Sequence, residues 1–245
     1  MPEGTGVAID RLATGHRLRP MDRASWLIER RAAVVADYDR DAAGYDADPY
    51  ATATHGAFVD RLVATTPAGG LILDAPCGTG QYFARIRHAG RRVLGIDQSA
   101  GMLRQAEARR TAERLERLSL QEMSFEDEFD GAITVDEMEH VPPEDWPTVL
   151  RNLVRAVRSG AHLYLTVEEA GDDDIDASIA SLRGRGMPAV RGEVIDGDSG
   201  GYHNHPERER VSAWLASEGL ELVDEATDDM GGWGYWHLLL RTPLS

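Results

Sequence analysis

The residues best placed to do chemistry begin in the run Leu71-Ile72-Leu73-Asp74-Ala75-Pro76-Cys77-Gly78-Thr79-Gly80. It reads as a buried strand, a sharp glycine turn and the start of a helix near Gln81. Gly78 and Gly80 let the backbone approach a ligand closely, and the first amides of the helix are free donors. Asp97 closes the next apolar run, where a carboxylate can accept both hydroxyls of a ribose. Together these imply an adenosine-containing ligand. A dinucleotide fingerprint read from Gly78 requires glycine at 83, where the chain has Phe83, and no cationic side chain falls within Asp74–Gly80 to meet a pyrophosphate. Asp74 is instead an acid at the start of the loop, suited to the ammonium of an amino-acid moiety. A sulfonium cofactor with an aminobutyrate tail fits better than NAD or FAD.

A second group of residues could move protons. Asp136, Glu139, His140, Glu168 and Glu169 each follow an apolar run, and open parallel sheets bind ligands at the carboxyl ends of their strands. Among bases His140 and Glu139 rank first, then His203, since a histidine takes a proton near neutral pH. Glu168-Glu169 and Asp172–Asp174 read as a solvated loop or as a surface for a cationic or amine-bearing substrate. His203-x-His205 with Glu168 or Glu169 has the donor types of a two-histidine, one-carboxylate metal centre. The histidines alternate in a segment without helical periodicity, so no metal is expected. Cys77 reads as a small buried filler, and Trp233, Tyr235 and Trp236 as packing residues.

These residues need elements to hold them. Residues 1–20 read as a flexible leader and 21–66 as an N-terminal helical cap, with helices at about 22–37 and 50–65. An aromatic and acidic connector, Asp37-Tyr38-Asp39 to Tyr45-Asp46, lies between those helices. From 67 to 245 short apolar runs alternate with helices, the pattern of a parallel sheet covered on both faces. Strands are expected at 71–75, 93–97, 118–120, 131–135, 161–167, 220–227 and 235–241. A long helix is expected over Ser99–Leu118, and another from Pro142 to a stop at Ser159-Gly160. Residues 170–206 break the rhythm with aspartates and glycines, so they read as a flexible acidic lid holding one short helix near 175–182.

Composition narrows the partners. The 245 residues carry 42 acidic and 26 basic side chains, a formal charge of −16, which repels polyphosphate backbones and anionic lipid. No nucleic-acid or membrane partner is expected. Every basic side chain other than histidine is arginine, so lysine Schiff bases and Walker lysines are absent. One cysteine forbids an internal disulfide or a thiolate cluster, and no signal-peptide run opens the chain, which points to the cytoplasm.

The ordered set of motifs resembles the class I S-adenosylmethionine-dependent methyltransferases, from about Tyr38 to Leu240. Asp74-Ala75-Pro76-Cys77-Gly78-Thr79-Gly80 is similar to their first motif, with Pro76 in place of its first glycine. Gly95-Ile96-Asp97-Gln98-Ser99-Ala100-Gly101-Met102-Leu103 resembles the second, whose acid holds the ribose and whose apolar residues line the adenine. Leu120-Gln121-Glu122-Met123 resembles the adenine-recognition loop, and Val135–Val141 the segment that passes the sulfonium and faces the substrate. The resemblance implies a Rossmann-like, mostly parallel seven-stranded sheet with helices on both faces. It implies S-adenosylmethionine held by Tyr45, Asp74, Ala75, Gly78, Gly80, Asp97, Gln98, Met102, Gln121, Glu122, Met123 and Asp136. The expected reaction is methyl transfer to an N, O or C nucleophile of a small molecule of the secondary-metabolite kind, by a monomer or homodimer. The alternatives are methylation of peptide or protein side chains, a non-methylating cyclase on the same fold, and a nucleotide sensor without turnover.

Overall fold

Strands covered by helices on both faces must be apolar on both, and the short apolar runs accordingly form the central sheet. The computed structural model describes residues 21–47, 52–196 and 201–244. The expected leader, 1–20, lies outside them. The sheet takes up β1 (Leu71–Asp74), β2 (Arg92–Asp97), β3 (Arg114–Arg117), β4 (Phe129–Thr134) and β5 (Val157–Ala170). Residues Glu193–Asp196 and Gly201–Asn204 form β6 and β7, a separate antiparallel hairpin. The chain closes with β8 (Glu221–Asp229) and β9 (Trp233–Arg241), giving the seven-stranded order β3-β2-β1-β4-β5-β9-β8. β1 to β5 run parallel, and β9 lies antiparallel between β5 and β8. This is the Rossmann-like architecture expected.

Alternation along each strand divides the core in two. Ile72, Val93, Ile133, Tyr164 and Leu239 face α2 (Ala53–Thr65) and α3 (Phe83–His88), meeting Phe58, Leu62, Phe83 and Ile86. Their neighbours Leu73, Leu94, Ala132, Leu163 and Leu238 face the other way, onto α5 (Trp146–Ala156) and α7 (Arg208–Ser217). From β1 the order steps out to β2 on one side and β4 on the other. This switch point opens a crevice at the carboxyl edge, between the ends of β1, β2 and β4.

Several boundaries differ from expectation, for identifiable reasons. The helix expected over Ser99–Leu118 is α4 (Ala100–Ala108); Arg110 then takes a left-handed φ of 52° and the chain becomes β3. The open edge of β2 captures the segment: Glu113 donates to the Val93 carbonyl, Leu118 to that of Asp97, and Leu115 joins the core. The third strand is therefore at 114–117 rather than 118–120. Ser159-Gly160 does not stop a helix. α5 ends at Ala156 and both residues lie in the long β5, with Gly160 at φ 72°.

The cap and the insertion form one layer over the carboxyl edge. α1 (Arg23–Asp41) is capped by Asp22, which accepts from the Ser25 amide at 3.0 Å. It continues past residue 37, so Tyr38 and Asp39 belong to its last turns rather than to a connector. The insertion contains α6 (Asp172–Gly184), longer than the short helix expected, and the β6–β7 hairpin. Its Ile179, Leu182, Ala189 and Tyr202 pack with Trp26, Leu27 and Val34 of α1 in a third apolar cluster. Arg23 bridges Glu144 and the buried Glu193, tying the layer to the core.

Candidate active site

The cleft at the switch point is lined by Pro76, Cys77, Gly78, Thr79, Gln81, Tyr82, Asp97, Gln98, Ser99, Met102, Val135, Asp136 and Glu137 from the sheet edge. Val35, Tyr38 and Tyr45 close it from above. Gly78 has φ 51° with open space where a Cβ would stand, so the loop is a bare cradle. Gly80 has φ 78° for a different reason: a Cβ there would stand 2.5 Å from the Phe83 ring. The Asp97 carboxylate accepts from the amides of Gly78 at 2.9 Å and Ser99 at 2.7 Å. Burial outweighs those bonds and pushes its pKa up to about 6. Behind it Asp74 is buried, with Oδ2 lacking any hydrogen-bond partner; burial and the Asp97 charge hold its carboxyl well above the usual range.

These features fit the cofactor inferred from the sequence. An orphaned acid at the loop start matches an ammonium, and Asp97 has lone pairs left for ribose hydroxyls. Gln98 and Met102 lie in the cleft as expected, whereas Asp74, Ala75 and Gly80 stand behind its wall. Gln121 and Glu122 line an adjoining groove that shares Val35 and Gln98 with the cleft. There Gln121 donates to Asp145 and Glu122 accepts from Ser119. Met123 is buried, and its carbonyl accepts from Arg155.

Beyond Tyr38, Tyr45 and Asp136 the cleft gives way to a chamber of about 1000 Å³. Its walls include all three expected acid–base residues, Glu139, His140 and His203, together with Glu168, His205, Asp174, Trp233 and Tyr235. Trp233 and Tyr235 thus face a cavity and are not only packing residues.

Hydrogen bonding gives the three candidates different characters. His140 Nδ1 lies 2.8 Å from the Tyr202 carbonyl oxygen and must carry the hydrogen; Nε2 then accepts from the Tyr38 hydroxyl at 2.7 Å. Burial, with the neighbouring His203 charge, lowers its pKa to about 4. His140 is therefore a neutral group whose lone pair is engaged, which corrects its first rank as a base. Burial, Glu168 and Asp136 push the Glu139 carboxyl well above the usual carboxylate range. His203 Nδ1 lies 2.8 Å from Glu168 Oε2. Burial opposes the ionised form of Glu168, yet the bond to His203 and the nearby histidine charges hold its pKa below the usual value.

The sequence reading missed the partners of these residues. Tyr38 sits on α1, a hundred positions from His140, and the only signal was its place one turn after Val34 on the buried side of the helix. Asp136 takes φ 51° and accepts from His55 Nε2 at 3.0 Å. His55 Nδ1 in turn accepts from the Thr52 amide, and Thr52 and Thr54 both donate to Asp228. The start of α2 is thereby fastened to the wall between cleft and chamber.

Comparison with known proteins agrees with this geometry. Residues 72–160 match the family described as a methyltransferase domain. The chain is 38% identical over 86 residues to a malonyl-[acyl-carrier protein] O-methyltransferase of Pectobacterium atrosepticum, covering 34% of this chain and 33% of that protein. It is 30% identical over 149 residues to the Serratia marcescens protein of the same name, covering 58% and 54%. The chain thus spans a third to about half the length of these two relatives. Among solved structures, 1,6-didemethyltoxoflavin-N1-methyltransferase of Burkholderia thailandensis, with S-adenosylhomocysteine bound, superposes with TM-score 0.68 at 17% identity, covering 92% of each chain. Residues 72–160 thus match a methyltransferase domain, and the superposition shows that the chain shares the Rossmann-like fold of that methyltransferase. Among the described residues no helix is long and apolar enough to cross a membrane.

Proposed function

We propose that the protein transfers a methyl group from S-adenosylmethionine to an N, O or C nucleophile of a small organic molecule held in the chamber. The observation that carries this reading is the shared wall: Tyr38, Tyr45 and Asp136 line both the cofactor cleft and the chamber. A sulfonium methyl at that wall faces an acceptor lodged beyond it. Methyl transfer is an in-line displacement, and holding the two reactants in line supplies about 7–11 kcal/mol of the barrier. A chamber of about 1000 Å³ has room for a small organic acceptor.

Roles follow from the bonds already formed. Asp97 and Gln98 hold the ribose side, Asp74 the amino-acid tail, and Met102 the adenine. Gln121 and Glu122 reach the adenine only through the adjoining groove. His140 positions Tyr38, whose hydroxyl stands between donor and acceptor. Glu139, whose buried Oε2 has no hydrogen-bond partner, faces the same chamber, and the Glu168–His203 pair receives the proton of an acceptor that must lose one. The chamber is rich in carboxylates, and the one arginine lining it among the described residues, Arg40, is ion-paired to Asp37 and Asp41. This disfavours an anionic acceptor such as the one named for the acyl-carrier relatives. The test is incubation with S-adenosylmethionine and a panel of small amines, phenols and carboxylic acids. It reads S-adenosylhomocysteine release together with a product heavier by one CH2. Release with no methylated product from any acceptor would favour hydrolysis, and tight cofactor binding with no release would favour a sensor or a cyclase.

A further inference from the structure

We infer that Glu168, His203 and His205 form a binding site for one first-row divalent cation on the chamber wall. The absence of a metal was expected because the histidines fall in a segment without helical periodicity. They instead stand at alternate positions along β7 and its exit, and alternate residues of an extended strand share a face. The strand is held by its pairing with β6, and the His205 amide is fixed by the Gly192 carbonyl at 2.8 Å. Glu168 projects toward them from β5, an inner strand with β4 on one side and β9 on the other. Each donor therefore sits on a fixed piece of backbone.

The distances suit coordination. Glu168 Oε2 lies 2.8 Å from His203 Nδ1 and 3.8 Å from His205 Nδ1, and one donor atom from each residue falls within 4.8 Å of the others. Ligands about 2.1 Å from one cation, at angles near tetrahedral or octahedral, stand roughly 3.0–3.4 Å apart. Closing the set takes about 0.4 Å between Glu168 and His205 and at most about 1.4 Å between the two histidines. Two imidazoles and one carboxylate are the donors of Zn²⁺, Fe²⁺, Co²⁺ and Mn²⁺ rather than of Mg²⁺ or Ca²⁺. Three protein ligands leave positions open, and all three residues line the chamber.

A second triad lies apart from the chamber. His55, Asp228 and His237 also bring donor atoms within 4.8 Å. Its His55 bonds Thr52 and Asp136, and its His237 bonds the Tyr164 hydroxyl at 2.8 Å and Asp228 at 3.2 Å. That cluster belongs to the α2 fastening and does not line the chamber.

A cation held by the triad would engage the lone pairs of Glu168 and His203 and replace that pair's proton-accepting role by taking an acceptor oxygen as a further ligand; this role rests on the methyl-transfer reading. The acceptor O–H yields its proton to solvent as the oxygen binds. Its electron pair then forms the new C–O bond, while the C–S bond breaks with its electrons to sulfur and leaves S-adenosylhomocysteine. Binding of the cation itself is independent of that reading.

The experiment titrates the full-length, chelator-stripped protein with Zn²⁺ by calorimetry and with Co²⁺ by visible absorption. His205→Ala and Glu168→Gln are measured alongside, with circular dichroism and melting to establish folding, and S-adenosylhomocysteine affinity is measured separately. The expected result is one cation per chain with Co²⁺ bands in the visible. Loss of a ligand in either variant should weaken binding roughly a hundredfold or more, with cofactor affinity retained. No binding by the wild type, or binding equally tight in folded His205→Ala, overturns the site. Because His205 has no part in the proton-accepting Glu168–His203 pair, neither result bears on methyl transfer.

Discussion

Replacing Asp97 with alanine tests the cofactor cleft at its most exposed assumption. The carboxylate is buried, is fixed by two backbone amides, and is the group to which the proposed function gives the ribose. Hydrogen bonds to a charged acceptor are worth about 1.5–3 kcal/mol, so Asp97→Ala should weaken S-adenosylhomocysteine binding roughly tenfold to hundredfold. The raised pKa supplies an internal control. Asp97 titrates near pH 6 in the cofactor-free protein, pushed up by burial and by Asp39, while Asp74 and Glu137 face it as further buried acids. Ribose hydroxyls are best accepted by the ionised form. Wild-type affinity should therefore hold from pH 8 to 7 and fall as pH drops through 6, reaching about a tenfold loss one unit below. The alanine variant lacks this component. Calorimetric titrations at pH 7.5, 6 and 5 decide the matter, with melting curves to show that the loop has kept its fold. Equal affinity in both proteins at pH 7.5, or an identical fall with pH, would refute the ribose assignment.

Other substitutions probe the layer above the cleft and the loop beneath it. Tyr38→Phe removes the donor to His140 Nε2 and should cost about 1–3 kcal/mol, at about 2–4 °C of melting temperature per kcal/mol; an unchanged melt would mean the pair is not formed. Trp26→Ala empties the apolar cluster shared by α1, α6 and the hairpin, at about 3–5 kcal/mol locally. Hydrogen exchange should then quicken in 172–184 and 193–204 while β1 and β4 stay protected, and uniform loosening would deny the layer its own core. Gly78→Ala meets only the left-handed backbone penalty of about 1–2 kcal/mol, whereas Gly80→Ala also drives a methyl into Phe83 and should lower the melting temperature further; the reverse order would be wrong for this loop.

Much of the fold was legible because one physical rule governs it. Runs such as Leu71–Asp74 and Gly131–Thr134 are apolar on both faces, which only a doubly covered strand requires. The misplaced elements are those decided by neighbours rather than by their own pattern. Arg114–Arg117 has ordinary helix formers, and it is a strand because β2 offers an unpaired edge beside it. Ser159-Gly160 has the composition of a helix stop, yet it lies in an irregular stretch of β5 between the Val157 and His162 pairings with β4, where the Gly160 amide and the Ser159 hydroxyl donate to the Pro243 carbonyl.

The site divides along the same line. Asp74, Gly78 and Asp97 sit on or beside strands whose order is written in the chain, so their place at the switch point could be derived. His140 was placed on the carboxyl edge from its position in the chain, but position alone does not say where a lone pair points. That depends on the carbonyl of Tyr202 and the hydroxyl of Tyr38, which come from two elements far off in sequence and meet only when the insertion packs on α1. His203 and His205 show the converse. Their spacing carried the information, since i and i+2 share a face on a strand and not on a helix, but it could be used only once β6 was known to pair with β7. A residue's chemistry at this carboxyl edge is thus set less by its type than by which segment of the covering layer lands upon it. Changes in that layer, rather than in the glycine loop, are where acceptor preference should be sought.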